Sequence, residues 1–416
     1  MREYLLVMLI AAAITYLVCG LCRRIALRTG AVARVRDRDV HAIPIPYFGG
    51  VAMFFGMAAA FLVATHLPFL GRNELIAHDF RAVLIAAAVI CVVGVVDDLF
   101  ELNAIAKLAG QVLAAGLLVA NGVKLLWIPL PNTIISPPDS ASIVLTVFFV
   151  VLCSNAVNYV DGLDGLASGI VAIGALAFFG YCYLLVTEQD LPRATTASLI
   201  TVAVAGVCIG FLPHNFFPAR MFMGDSGSLL LGLLLATSTI SLTGQIDSAV
   251  LQQNSGGVVP AYLPLALPLA IMALPFTDFV LAYLRRTYAG KWFWVADKQH
   301  LHHRLLDRGF SHRHAVILMY IWSALVSFGV IAIGLTGHWF TVLVVLLAAA
   351  VLTWFTIGAG TGTLLELRER LLGRRGDRQA GRARTARPVA APHPGADTPT
   401  GSTNPGAEAS PVPPER

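Results

Sequence analysis

Residues 80–98 read FRAVLIAAAVICVVGVVDD, an apolar run entered beside Arg81 and closed by two adjacent carboxylates, Asp97 and Asp98. A run of about 17 residues is what a helix needs to cross roughly 30 Å of hydrocarbon. Comparable runs recur outward from it in both directions. They number about eleven, near 4–22, 47–67, 80–96, 105–121, 143–158, 163–186, 194–212, 226–243, 261–284, 315–336 and 340–358. Composition agrees, because 57% of the 416 residues are hydrophobic and only 13% are charged, whereas soluble globular domains carry about 25% charged residues. A soluble protein is excluded. The expected fold is all-α and integral to the membrane, a polytopic bundle of about eleven transmembrane helices. The first run does not read as a signal peptide, since Glu3 offsets Arg2 and no A-x-A-like site precedes a soluble domain.

With eleven crossings the termini lie on opposite sides, and Lys and Arg assign the sides. Segments 23–38, 98–107, 213–225, 285–314 and 366–416 hold 24 of the 29 basic residues, which makes their side cytoplasmic. Arg2, Arg72, Arg81, Lys124 and Arg193 remain opposite, with the N-terminus outside and the C-terminus cytoplasmic. Residues 127–135 alternate apolar residues among prolines and read as a short hairpin on the outer face. Residues 1–365 form the membrane domain. Residues 366–416, rich in Pro, Ala and Arg and without apolar periodicity, read as a disordered basic cytoplasmic tail. The six cysteines lie in or beside apolar spans and read as packing residues.

Polar groups at span ends are the informative residues, because ionisable side chains at a membrane are costly and are a functional hypothesis by default. Asp97 and Asp98 lie in GVVDDLFELNAIAK (94–107), and Asn155, Asn158, Asp161 and Asp164 in SNAVNYVDGLDGLASG (154–169). Asn215 and Asp225 lie in HNFFPARMFMGDSGS (214–228), and His300, His302 and His303 in DKQHLHHRLLDRG (297–309). Taken singly, these could be solvated helix ends, wet loops or interhelical amide contacts. Together, four separated segments deliver acids, amides and imidazoles to one membrane face. Glycines beside Asp161, Asp164 and Asp225 add helix N-termini whose free N–H groups can face an anion. Carboxylates beside such termini suggest a metal–phosphate site, and a hard cation needs only one or two protein oxygens.

In order and spacing, VHAIPIPYFGG (40–50), the Asp97–Asp98 pair followed by Lys107, NAVNYVDGLDGLA (155–167), FFPARMFMGDSGS (216–228) and HLHH (300–303) resemble the polyprenyl-phosphate N-acetylhexosamine-1-phosphate transferase family. The resemblance covers roughly residues 23–314. It implies a cytoplasmic active site, Mg²⁺ with Mn²⁺ as a substitute, and attack of polyprenyl phosphate on the β-phosphorus of a UDP-N-acetylhexosamine to release UMP. This reaction begins lipid-linked glycan assembly. By resemblance, Asp225 holds the metal with Asn158 as partner, Lys107 contacts the pyrophosphate, and Asp97 and Asp98 lie at the reaction centre. Asp161 and Asp164 lie near the nucleotide, and His300, His302 and His303 meet the phosphate or sugar. Asn155, Asn215, Arg304 and His41 complete the implied substrate-binding set. HLHHRLLDRGFSHRHA (300–315) resembles the branch that accepts UDP-N-acetylglucosamine, with the UDP-MurNAc-pentapeptide branch as the alternative. One departure is that the usual T-P-R before Gly-Gly is replaced by Ile45-Pro46-Tyr47-Phe48, so any role of that arginine passes to Arg36, Arg38 or His41. Expected partners are the two substrates and membrane lipids, with a second copy of the chain as a candidate oligomeric partner and no nucleic acid.

Two rival readings fail on residues. The aspartate signature of CDP-alcohol phosphotransferases is echoed at 161–167, yet Ser168 stands where that signature needs arginine. A secondary transporter would place its carboxylates at the midplane of two related halves, whereas these lie at span ends without an internal repeat. Either direct attack by the lipid phosphate or an aspartyl-phosphate on Asp97 or Asp98 would leave the sugar C1–O bond intact, so retained anomeric configuration is expected.

Overall fold

The structure is a computed structural model and describes residues 1–33, 44–72, 74–126, 128–130, 133–188, 194–245 and 310–358, with residues 270 and 287 besides. In chain order the elements are α1 (Arg2–Thr29), α2 (Gly49–Ala64), a 3-10 turn (Leu70–Arg72), α3 (Glu74–Phe100) and α4 (Ala104–Ala120). A hairpin of β1 (Ile128–Leu130) and β2 (Thr133–Ile135) follows, then α5 (Asp139–Val160), α6 (Leu166–Glu188), α7 (Ala194–Asn215) and α8 (Gly224–Gln245). Past the next segment come α9 (His312–Thr336) and α10 (Trp339–Gly358).

Among the described residues, seven helices are long and apolar enough to cross a membrane, namely α1, α3 and α5 to α9. The apolar stretches of α2, α4 and α10 are shorter. The chain is therefore a multi-pass helical membrane protein, as its composition requires. The run expected at 261–284 lies outside the described residues apart from Ala270. The hairpin expected near 127–135 is present, with Ile128 opposite Ile135 and Leu130 opposite Thr133.

Burial ranks the helices from axle to rim. The most apolar window of α8 is 100% buried and that of α7 89%, against 28% for α1. α8 is surrounded by α2, α3, α5 and α7, while α1 packs on α2 and α7 and α9 on α6. The axle has hydroxyls that lipid could not satisfy, and several of its threonines turn back on their own helix. Thr237 donates to Leu233 O at 2.7 Å, Thr243 to Thr239 O at 2.9 Å and, on α7, Thr201 to Ala197 O at 2.7 Å. Rim helices instead expose Leu9 and Leu17 of α1 and Leu346 and Trp354 of α10, apolar surface that suits hydrocarbon and not water. All six cysteines are free and buried, as their positions suggested.

The bundle has two polar ends. At one, Glu3 accepts the N–H groups of Phe69 and Leu70 at 2.9 Å each, and Lys124 pairs with Asp139 at 2.6 Å beside the hairpin. The other end carries the C-terminal end of α3 and the N-terminal turns of α4 and α8, together with the ends of α1, α5 and α7.

Candidate active site

At that second end, α3 finishes with Asp97 and Asp98 and the chain reverses through Glu101, whose φ is +49°. Asn103 then starts α4 by accepting the Ala106 N–H at 2.8 Å. This tight corner returns Lys107 to Asp97, so that Lys107 Nζ donates to Asp97 Oδ2 at 3.0 Å and also to Asp225 Oδ2. The Leu102 N–H donates to Asp97 Oδ1 at 2.8 Å and fixes the plane of that carboxylate. The side chains of Asp97, Lys107 and Asp225 are only 12%, 19% and 25% exposed. Their attraction is thus weakly screened, and removing one partner would strand a charge.

Asp225 reaches this cluster because α3 braces the start of α8. Gly224 turns into the helix with φ +68°, a conformation a side chain would strain. Asp98 Oδ1 then accepts the Asp225 N–H at 2.7 Å and Oδ2 the Ser226 N–H at 3.3 Å. The carboxylate of one helix thereby caps another and opposes the positive end of its dipole. One turn before Asp98, a Cβ at Gly94 would overlap the Ser226 backbone, so α3 and α8 touch backbone to backbone. A ribbon supports the approach from the other side. The Phe222 N–H donates to Pro46 O at 3.0 Å, the Gly49 N–H to Phe222 O at 3.1 Å and the Gly50 N–H to Met223 O at 3.0 Å. The same segment pairs with the end of α1, where the Ala33 N–H donates to Ile45 O at 2.8 Å. The described part of VHAIPIPYFGG is therefore a brace for the loop that presents Asp225.

From α5, Asn158 Nδ2 donates to Asp225 Oδ1 at 2.6 Å and to Ser228 Oγ at 2.8 Å. Asp97, Lys107, Asn158 and Asp225 therefore converge from four helices. Asn155, one turn back on α5, does not join them but exchanges hydrogen bonds with Gln111 of α4. Asp164 Oδ2 accepts the Ala219 N–H at 2.9 Å. Asn215, 2% exposed, holds the two adjoining loops together. Its Oδ1 accepts the Gly165 N–H at 3.0 Å and the Ser168 hydroxyl at 3.2 Å, and its Nδ2 donates to Met221 O at 3.1 Å. Asp161 caps α5 with its surface partly open, yet the protein packed around it pushes its carboxyl up to about 8, helped by the charges of Asp225, Asp98 and Asp164. His41, His300, His302, His303 and Arg304 lie outside the described residues, as do Arg36 and Arg38.

Three contacts here were not read from the sequence. Gln111 is the lone amide inside α4, four residues after Lys107 and so on its face. Ser228 lies three residues after Asp225 and meets Asn158. His312 stacks on Phe217 at 4.4 Å and 22°, with Arg313 5.9 Å from the same ring.

Among the described residues no group of three or more His, Cys, Asp or Glu is arranged to hold a metal ion. A magnesium site needs less, since one or two protein oxygens suffice when phosphate and water complete the shell. The Asp225 carboxylate supplies hard oxygen donors, the Asn158 amide would add its oxygen on turning its Nδ2 away from Asp225, and the place between Asp97 and Asp225 already holds the positive charge of Lys107. The residues present fit such an ion.

The family profile described as glycosyl transferase family 4 matches residues 80–243, which contain every member of the four-helix cluster. Decaprenyl-phosphate N-acetylglucosaminephosphotransferase of Mycobacterium tuberculosis is 44% identical over 337 residues, covering 79% of this chain and 82% of that protein. A probable undecaprenyl-phosphate N-acetylglucosaminyl 1-phosphate transferase of Bacillus subtilis is 31% identical, over 79% of this chain and 84% of its own. Phospho-N-acetylmuramoyl-pentapeptide-transferase of Desulforudis audaxviator is 37% identical, over 49% of this chain and 64% of its own.

Proposed function

The chain belongs to glycosyl transferase family 4, and on that footing we propose that it transfers N-acetylglucosamine-1-phosphate from UDP-N-acetylglucosamine to a polyprenyl phosphate, releasing UMP. The observation that carries this reading is the meeting of Asp97, Lys107, Asn158 and Asp225 at one end of a membrane bundle. The relatives named for N-acetylglucosamine in Mycobacterium tuberculosis and Bacillus subtilis each align over 79% of this chain, whereas those named for muramoyl-pentapeptide align over 49% and 60% of it.

The site end faces the cytoplasm, because the basic residues gather there, and the N-terminus lies outside. Residues 366–416, basic and rich in Pro and Ala, are assigned by composition to the cytoplasmic side. Asp225 and Asn158 would hold Mg²⁺, or Mn²⁺ in its place, and the bound ion would supply positive charge to neutralise the donor diphosphate and ease departure of UMP. Phosphoryl transfer spreads negative charge over phosphorus oxygens, so positioning and positive charge do most of the work. Lys107 supplies that charge on a fixed tether, held between Asp97 and Asp225. Because a phosphate monoester is largely ionised near neutrality, the acceptor attacks the β-phosphorus directly. Asp97 holds Lys107 in place for the incoming phosphate, its two oxygens being engaged by Lys107 and by the Leu102 N–H. Both oxygens of Asp98 are committed to the α8 backbone, which favours direct displacement over a covalent intermediate on that residue. Asp161 and Asp164 border the nucleotide, and His300, His302, His303, Arg304 and His41 complete the phosphate and sugar contacts.

The test is a transfer assay with purified protein, polyprenyl phosphate and Mg²⁺, offering UDP-N-acetylglucosamine, UDP-N-acetylgalactosamine and UDP-MurNAc-pentapeptide separately. The expected product mass is that of polyprenyl-diphospho-N-acetylglucosamine with its anomeric configuration retained. Product from the pentapeptide donor alone would move the chain to the other branch, and product from none would end the proposal.

A further inference from the structure

Two rungs connect α4 to the body of the bundle. The upper rung is Lys107 and Asn158, which grip Asp225 from opposite sides through its two carboxylate oxygens. The lower rung lies one helical turn deeper, where Asn155 Nδ2 donates to Gln111 Oε1 at 2.6 Å and Gln111 Nε2 donates to Asn155 Oδ1 at 3.3 Å. Lys107 and Gln111 share a face of α4 at i and i+4, and Asn155 and Asn158 share a face of α5 at i and i+3. The two rungs therefore stack along one seam between α4 and α5.

α4 also packs on α3, where Gly110 fits closely against Val93. Its buried residues are Gln111, Ala114, Ala115 and Leu118, so small apolar groups and one amide make up its seam. Gln111 is 1% exposed, and an amide sealed among apolar groups is costly unless fully paired. Asn155 satisfies it with both a donor and an acceptor. The Asn155 NH₂ also donates to Val151 O at 2.8 Å, which ties the pair to the α5 backbone. Apolar packing alone allows a helix to slide or rotate, whereas a reciprocal amide pair has one register.

We infer that Gln111 and Asn155 form a positioning clamp that registers α4 against α5 and so aims Lys107 at Asp225. Neither residue touches the reacting atoms. This inference rests on the proposed transfer reaction and refines the geometry of its centre.

The test uses full-length protein in the transfer assay with the variants Gln111→Ala, Asn155→Ala, their double, and the exchange Gln111→Asn with Asn155→Gln, which keeps a reciprocal pair. Interhelical side-chain hydrogen bonds in membranes have measured couplings averaging about 0.6 and reaching about 1.7 kcal/mol, equivalent to roughly 3- to 17-fold. Each single alanine variant should lose kcat within that range, with KM for the UDP-sugar changed less than about twofold. The double should be no worse than the worse single, because one interaction is lost only once. The exchange variant should recover at least half of the loss on the logarithmic scale. In a Lys107→Ala background, Gln111→Ala should cost nothing further.

Unchanged kcat in Gln111→Ala would overturn the clamp, as would multiplying losses in the double. A defect in donor KM alone for Asn155→Ala would show that Asn155 contacts substrate directly. A fall in melting temperature with kcat per folded molecule intact would reduce the pair to a stability contact and also overturn it. Failure of the wild-type chain to transfer any sugar phosphate would defeat the functional proposal, whereas a fully active Gln111→Ala defeats only the clamp.

Discussion

Replacing Asp98 with alanine separates a residue that builds the site from one that reacts in it. Asp98 accepts the Asp225 N–H at 2.7 Å and the Ser226 N–H at 3.3 Å. Loss of a helix cap costs about 0.5–2 kcal/mol, and stranding a buried donor adds about 1–3 kcal/mol. With the longer bond at the weak end of its range, the sum is roughly 2–4 kcal/mol. If all of that cost fell on the placement of Asp225, turnover would drop about 30- to 1,000-fold. Part of it falls on folding instead, so the melting temperature in detergent should fall by about 5 °C or more while the rate loss stays below that ceiling. Asp98→Asn retains one acceptor oxygen and should lie between wild type and alanine in both measurements. Melting curves and transfer rates at saturating Mg²⁺ are read on the same preparations. An Asp98→Ala protein that melts like wild type yet transfers nothing would refute the capping argument. So would a labelled acyl phosphate trapped on Asp98 during turnover.

Asp225→Ala should abolish transfer without restoration by excess Mg²⁺ while the protein still inserts and purifies folded; wild-type turnover would remove the metal assignment. Gly94→Ala should destabilise by about 1–3 kcal/mol or more, because its methyl overlaps the Ser226 backbone. Gly116→Ala, whose Cβ would meet nothing within 4 Å, should be neutral or gain up to about 1 kcal/mol of helix propensity; equal effects at the two glycines in a thermal melt would refute the packing argument. For Asp161, burial raises the folded pKa to about 8 from an unfolded value of about 4. Its contribution to stability is thus fully present below about pH 4 and lost as the pH rises through about 8. Asp161→Asn does not titrate, so its melting temperature relative to wild type should rise steadily between pH 5 and pH 8 in metal-free buffer; parallel curves would refute the assignment.

Much of the candidate site was legible because its residues are expensive where they stand. Carboxylates and amides at the ends of apolar spans draw attention without any structure. The division of labour among those residues was not legible. Asp97 and Asp98 are adjacent and chemically identical, yet one faces Lys107 and the other caps α8. Asn155 and Asn158 look like one motif, although they serve different rungs. The VHAIPIPYFGG stretch entered only as part of the family resemblance, and where described it is a backbone brace.

Sequence alone determined that this chain lives in a membrane, where its helices lie and which polar residues stand at their ends. Those properties follow from transfer free energies and local backbone preferences, which each segment carries by itself. Only the tertiary structure decided that α8 is the axle, that α3 caps it, and that Gln111 rather than Lys107 meets Asn155. Such outcomes depend on which helix faces which, and that is settled by close approach between small residues and by pairing of buried polar groups, neither of which exists until the segments meet.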